Sequence, residues 1–286
     1  MVKNYLQAVR YQNLLIIFFL FWGLTFNYSH VESSLNLDIL LLSFSIIFTA
    51  SSGYLINNLN DIKSDLTNNK NQFGFSKRYY LTTYFINVAC SFIFLFLSGL
   101  SGAWIQLVFY CHLLVISYSI LLQHIPLLGN LAVALLCGIV LCIPSIIHRG
   151  FNFETTYNLN VSVVELYVVF CVLFTMAREL IKDIEDINGD LKIQSKTFPI
   201  VFGITPTKGL IALIFISSAL LLSLGLIRTP FSIASFSFFI PSLVITFVLL
   251  FSTLSAKETS SFQKLSKLIK LQFLFSTLWL YVNALL

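Results

Sequence analysis

Of the twelve aspartates and glutamates in this 286-residue chain, seven fall in two short segments. Asp61 and Asp65 lie in NNLNDIKSD, and Glu179, Asp183, Glu185, Asp186 and Asp190 lie in RELIKDIEDINGD. The segments share a register. Asn58, Asp61 and Asp65 stand at i, i+3 and i+7, as do Asp183, Asp186 and Asp190, with 125 residues between corresponding positions. On a helix, those offsets place three oxygen-bearing side chains on one face. Carboxylates three or four residues apart repel by roughly a few tenths of a kcal/mol on an exposed helix, and by more beside a low-dielectric membrane. One such cluster reads equally well as a solvated helix end. Two in matching register point to a cation that neutralises them, and to two related halves facing each other across a cavity. Asp and Asn oxygens suit a hard ion, Mg²⁺ or Mn²⁺. Mg²⁺ typically takes one or two carboxylates, keeps some water and completes its shell with substrate phosphate. The chemistry expected is metal-assisted departure of diphosphate, in which the metal stabilises charge growing on the leaving group.

The elements that must position these groups are membrane helices. The chain is 57% hydrophobic and only 10% charged, with a mean hydropathy of +0.88, outside the usual range of a soluble globular domain. Crossing about 30 Å of hydrocarbon takes roughly 20 helical residues. Nine apolar runs approach that length, near 14–29, 39–56, 80–98, 103–122, 127–147, 161–178, 209–226, 231–252 and 268–286. The reading is a single all-α transmembrane domain over 1–286, with nine helices around a central cavity. Cytoplasmic loops retain Lys and Arg, and fifteen of the seventeen basic residues lie on the side of the N-terminus, leaving Arg149 and Arg228 opposite. The N-terminus and both acidic segments are therefore expected in the cytoplasm, on the inner face of the cell membrane. Topology accounts for the net charge of +5, and no nucleic-acid partner is needed. The five cysteines all fall within apolar runs and form no CxxC pair, which reads as buried thiols rather than a metal site.

The segment ARELIKDIEDINGDLKIQSKTFP resembles the second Asp-rich motif of the UbiA superfamily of intramembrane prenyltransferases, in the style of its digeranylgeranylglyceryl phosphate synthase-like members. Near the N-terminus, RYQN is similar to the family's R-P-x-N through Arg10 and Asn13. YSILLQHIPLLGN is similar to its central motif through Tyr118, Pro126, Gly129 and Asn130. Asn58 stands where the first motif, N-D-x-x-D-x-x-x-D, has its first Asp. Gln72 stands at an Arg position, and Gln123 and His124 stand at basic positions.

The resemblance implies a membrane prenyltransferase that moves a polyprenyl group from its diphosphate to a lipophilic acceptor, either a glycerol-phosphate ether lipid or an aromatic quinone precursor. It implies Mg²⁺ held by Asp183, Asp186 and Asp190 and by Asn57 or Asn58 with Asp61 and Asp65. Asn13, Asn68, Lys70, Arg178, Lys182 and Lys196 become candidates for binding the diphosphate. Lys70 is a candidate for the charge missing at Gln72, and Tyr118 for shielding an allylic cation with its ring. An amide at position 58 carries no charge, so Asn58→Asp is expected to lower the Mg²⁺ requirement. His112 and Glu165, inside apolar runs, are expected to make interhelical hydrogen bonds rather than to deprotonate an acceptor. The rival readings are a non-catalytic isoprenoid-binding member of the family and a cation transporter.

Overall fold

Without water to solvate backbone amides, an apolar chain at membrane depth must satisfy them internally, and a helix does so within one segment. The computed structural model describes residues 2–28, 37–62, 75–149, 162–229 and 232–285, and these contain helices and no strand. In chain order the helices are α1 Val2–Ala8, α2 Tyr11–Tyr28, α3 Leu37–Asn60, α4 Lys77–Leu97, α5 Gly102–Ile120, α6 Leu128–Arg149, α7 Val163–Lys192, α8 Phe198–Phe202, α9 Ile204–Ile227, α10 Ile233–Ser255 and α11 Thr259–Leu285, with a 3₁₀ turn at Leu122–His124 between α5 and α6.

Nine of these helices have at least 18 residues and follow the nine apolar runs in order. Six are long and apolar enough to cross a membrane by themselves (α3, α4, α5, α6, α9 and α10), and a seventh span results if α1 and α2, bent by 60°, count as one. The protein is a polytopic, all-α integral membrane protein. The exception of most interest is α7. Its apolar half passes without a break into the charged segment, so it runs 30 residues, well past the run that ends near residue 178. Leu180, Ile181 and Ile184 stay buried along it, so an amphipathic helix continues where hydropathy falls.

The described residues form two compact units, Met1–Phe19 with Val31–Ala132 and Asn188–Lys196, and Leu20–His30 with Val133–Ile187 and Thr197–Leu286. In the first, α3 packs along α4 and α5. Ala8 and Val9 at the end of α1 are buried with Leu55, Tyr80 and Tyr84. His112 of α5 is buried against the hydroxyls of α3 and α4, with its Nε2 2.8 Å from Ser91 Oγ and 3.5 Å from Thr49 Oγ1 and its Nδ1 3.5 Å from Ser52 Oγ. It is the interhelical hydrogen-bonding residue expected.

In the second unit, α10 lies between α9 and α11, and polar side chains tie the helices where lipid supplies no partner. Gln272 Nε2 donates to Ser242 Oγ at 2.6 Å, and Trp279 Nε1 donates to Ser235 Oγ at 3.0 Å. Glu165 lies in the first turn of α7. Its carboxylate accepts from Ser162 N at 2.8 Å, while Glu165 N donates to Ser162 Oγ at 3.2 Å. This is a capping box at the entry of α7. All five cysteines are free thiols, but only Cys171 is fully buried as expected; Cys90, Cys111 and Cys137 are half-buried and Cys142 is exposed on the helix surface.

Candidate active site

Within the first unit, the C-terminal turn of α3 carries the first acidic segment. Asp61 N still donates to Asn57 O at 2.9 Å, so the helical spacing persists one residue past the helix. Asn57 Nδ2 donates to Asp61 Oδ2 at 2.5 Å, an i, i+4 pair on one face. Asn57 is only 8% exposed, and its Oδ1 is buried with no hydrogen-bond partner. A buried carbonyl oxygen without a donor costs about 1–3 kcal/mol, a cost that a hard cation would remove. Neighbouring Asn58 turns the other way, and its Nδ2 donates to Ala8 O at 2.8 Å. Asn60 Nδ2 donates to Ser119 O at 2.9 Å. Asp65, Asn68 and Lys70 lie outside the described residues.

The α1–α2 break sits beside this turn. Arg10, at φ 52°, separates the two helices, and its guanidinium lies 5.0 Å from the centre of the Tyr54 ring, within cation–π range. Asn13 Nδ2 donates to Tyr54 Oη at 3.3 Å. Tyr54, absent from the sequence reading, thus holds both residues of the RYQN motif. Its only signal was its place one turn before Asn58.

The turn between α5 and α6 also belongs to the first unit. Gln123 Nε2 donates to Ser119 O at 2.9 Å. His124 Nδ1 lies 3.1 Å from Ser195 Oγ, and His124 O accepts from Lys196 N at 3.1 Å. The backbone that carries Lys196 is therefore fixed, while its side chain is exposed. Burial lowers the His124 pKa from 6.5, so the imidazole is neutral at pH 7. Tyr118 is half-buried on α5.

The second acidic segment is the last third of α7. Asp183, Asp186 and Asp190 are half-buried on one continuous helix, where their spacing confines them to an arc of about 60°. One turn before Asp183 on the same face stands Glu179, which is buried. Glu179 accepts from Arg178 Nη1 at 2.5 Å and lies 3.5 Å from Lys182 Nζ. Two cations thus share one carboxylate. Sequence reasoning named Arg178 and Lys182 but gave Glu179 no role, although its offsets of one and three residues were legible.

The donors fit a hard divalent cation in kind: an orphaned amide oxygen and Asp61 on α3, and three aspartates in register on α7. Among the described residues no three His, Cys, Asp or Glu converge tightly enough to enclose a metal by themselves.

The sequence profile of the UbiA prenyltransferase family matches residues 16–276. The chain belongs to this family. A digeranylgeranylglyceryl phosphate synthase from Methanobrevibacter smithii is 31% identical over 182 residues, covering 60% of this chain and 61% of that one. The synthase from Methanococcus vannielii is 31% identical over 248 residues, covering 81% and 80%. Among solved structures, that of a digeranylgeranylglyceryl phosphate synthase in membranes aligns with a TM-score of 0.70 at 19% identity, over 99% of this chain and 98% of the other. A UbiA homolog from Archaeoglobus fulgidus bound to DMAPP and Mg²⁺ aligns with a TM-score of 0.67 at 13% identity, over 96% and 99%. At such identities the structures establish the fold, which is the UbiA fold.

Proposed function

We propose that this UbiA-family enzyme uses Mg²⁺ to transfer a polyprenyl group from its diphosphate to a glycerol-phosphate lipid. The observation that carries the reading is the charged end of α7, where Asp183, Asp186 and Asp190 stand in register just beyond Arg178 and Lys182. Three carboxylates in register beside two cations are the complement of a metal diphosphate. The names of the relatives favour the glycerol-phosphate acceptor over an aromatic one, and the A. fulgidus homolog's ligands favour a prenyl diphosphate with Mg²⁺.

Asp183, Asp186 and Asp190 supply one set of metal ligands, and Asn57 or Asn58 with Asp61 and Asp65 supply the other. Bound Mg²⁺ would stabilise charge on the departing diphosphate. Arg178, Lys182 and Lys196 bind phosphate oxygens, joined by Asn13, Asn68 and Lys70. The allylic C–O bond breaks with its electron pair leaving on diphosphate. The acceptor's hydroxyl oxygen then bonds to the allylic carbon and gives up its proton. Tyr118 faces the developing cation, and the apolar helices hold the isoprenoid chain away from water. The whole chain acts as one catalytic domain, with its N-terminus and both acidic segments in the cytoplasm.

The test is incubation of purified protein in lipid nanodiscs with Mg²⁺, prenyl diphosphates of several lengths, and glycerol-phosphate or aromatic acceptors, with mass spectrometry of the lipids. A prenyl ether of the glycerol phosphate is the expected product. A prenylated aromatic alone would shift the acceptor class, and no product from any pair would favour a non-catalytic isoprenoid-binding member of the family.

A further inference from the structure

Asn58 occupies the first position of a register that otherwise bears only aspartates, and its surroundings show what an amide does there. Its Nδ2 donates to the carbonyl of Ala8 at 2.8 Å. Ala8 is the last residue of α1 and has no exposed surface. The last carbonyls of a helix have no intrahelical partner, and this one is packed among Val9, Leu55, Tyr80 and Tyr84, where an unmet acceptor is costly. A carboxylate at position 58 would set one acceptor against another.

The same contact lies at the point where the chain turns. Arg10 N donates to Gln7 O at 3.0 Å and ends α1, while Arg10 O accepts from Asn13 N at 2.7 Å and starts α2. The left-handed φ of 52° and the 60° bend between the helices are concentrated at this residue. A non-glycine residue in that region is held there by its surroundings. Two side chains of α3 grip the break: Asn58 holds the residue two before Arg10, and Tyr54, one turn earlier, meets Arg10 and Asn13.

We propose that Asn58 is a positioning residue that clamps the α1–α2 break to α3 and so sets Asn13 for the substrate, leaving Asn57 and Asp61 for metal ligation. The position requires an N–H donor, which explains why it is Asn in a row of acids. The role in substrate placement rests on the proposed prenyl transfer, but the clamp itself is testable without substrate or metal.

Asn58→Asp and Asn58→Ala are compared with wild type in nanodiscs containing EDTA. Near neutral pH, both variants should melt lower than wild type, with Asn58→Asp the lower of the two. Trypsin should cut after Arg10 several-fold faster in Asn58→Asp. With Mg²⁺ and donor present, Asn58→Asp should raise the donor KM about tenfold, the equivalent of one hydrogen bond, with kcat within about twofold and an Mg²⁺ requirement no lower than wild type. An Asn58→Asp protein that melts with wild type in EDTA, or that needs less Mg²⁺, would overturn the clamp. If wild type itself turns over no prenyl diphosphate, the proposed function fails, and the EDTA melting and cleavage series still decides for or against the clamp.

Discussion

The acidic segments that follow α3 and end α7 share an i, i+3, i+7 register in sequence, and their described residues use it differently. On α7 the three positions are aspartates on a helix that continues to Lys192, preceded by a Glu179 that holds Arg178 and Lys182. On α3 the helix stops at Asn60, and the amides of Asn57, Asn58 and Asn60 bond to Asp61, Ala8 and Ser119. One end concentrates charge. The other spends much of its polar capacity on holding helix ends in place. A repeated motif need not be a repeated function, and partners distinguish the two where spacing cannot.

The largest effect should come from the charged end. Asp183→Ala should lower prenyl transfer by more than about 100-fold, beyond the 10–100-fold typical of losing a residue that merely supports a metal ligand. Glu185→Ala, with its side chain roughly 100–160° around the helix from the three aspartates, should cost less than about threefold. Initial rates at saturating Mg²⁺ measure both, and equal losses would mean that total charge matters rather than one face.

Next comes Glu179→Gln, which keeps the shape and removes the charge shared by Arg178 and Lys182. The half-buried cations lose a shared counter-ion, and the donor KM should rise about tenfold with a smaller change in kcat, below the 3–5 kcal/mol that breaking a fully buried pair can cost. A change in kcat alone would place Glu179 elsewhere in the mechanism.

The holding role of the first unit predicts a stability effect. A Cβ on Gly129 would lie 2.8 Å from Gln123 Cα and 2.9 Å from Leu122 O, backbone atoms that cannot swing away. Gly129→Ala should therefore destabilise by about 1–3 kcal/mol. Gly209, within α9 and with nothing within 4 Å of a Cβ, should accept Ala with no loss or a slight gain, because Ala is the better helix former. Thermal melting of the two variants reads the difference directly.

The smallest effect should come from His124. Its folded pKa is lowered by burial, so as pH falls below 6.5 the unfolded chain takes up a proton that the folded chain resists. Wild-type stability therefore declines with falling pH from that point. His124→Asn should flatten this decline and leave stability near pH 8 little changed, as measured by melting at a series of pH values.

The all-helical membrane fold was legible because hydropathy reports burial in lipid directly, and nine long helices follow the nine apolar runs. The end of α7 was not, since the run stops where hydropathy stops and the helix does not. At the candidate site, the spacing of Asp183, Asp186 and Asp190 on one helix was readable. The partners of Tyr54, Glu179 and Asn58 were less so. The Asn58–Ala8 bond joins residues 50 apart, and nothing in the local sequence distinguishes an amide that clamps a carbonyl from one that ligates a metal.

The measurement that tests the central claim most directly is diphosphate release from geranylgeranyl diphosphate and a glycerol-phosphate acceptor by purified wild-type protein and Asp183→Ala across an Mg²⁺ titration. The account predicts release that saturates with Mg²⁺ in wild type, is absent in EDTA, and is nearly lost in Asp183→Ala at every Mg²⁺ concentration. Release that persists in EDTA, or that Asp183→Ala supports as well as wild type, would contradict it.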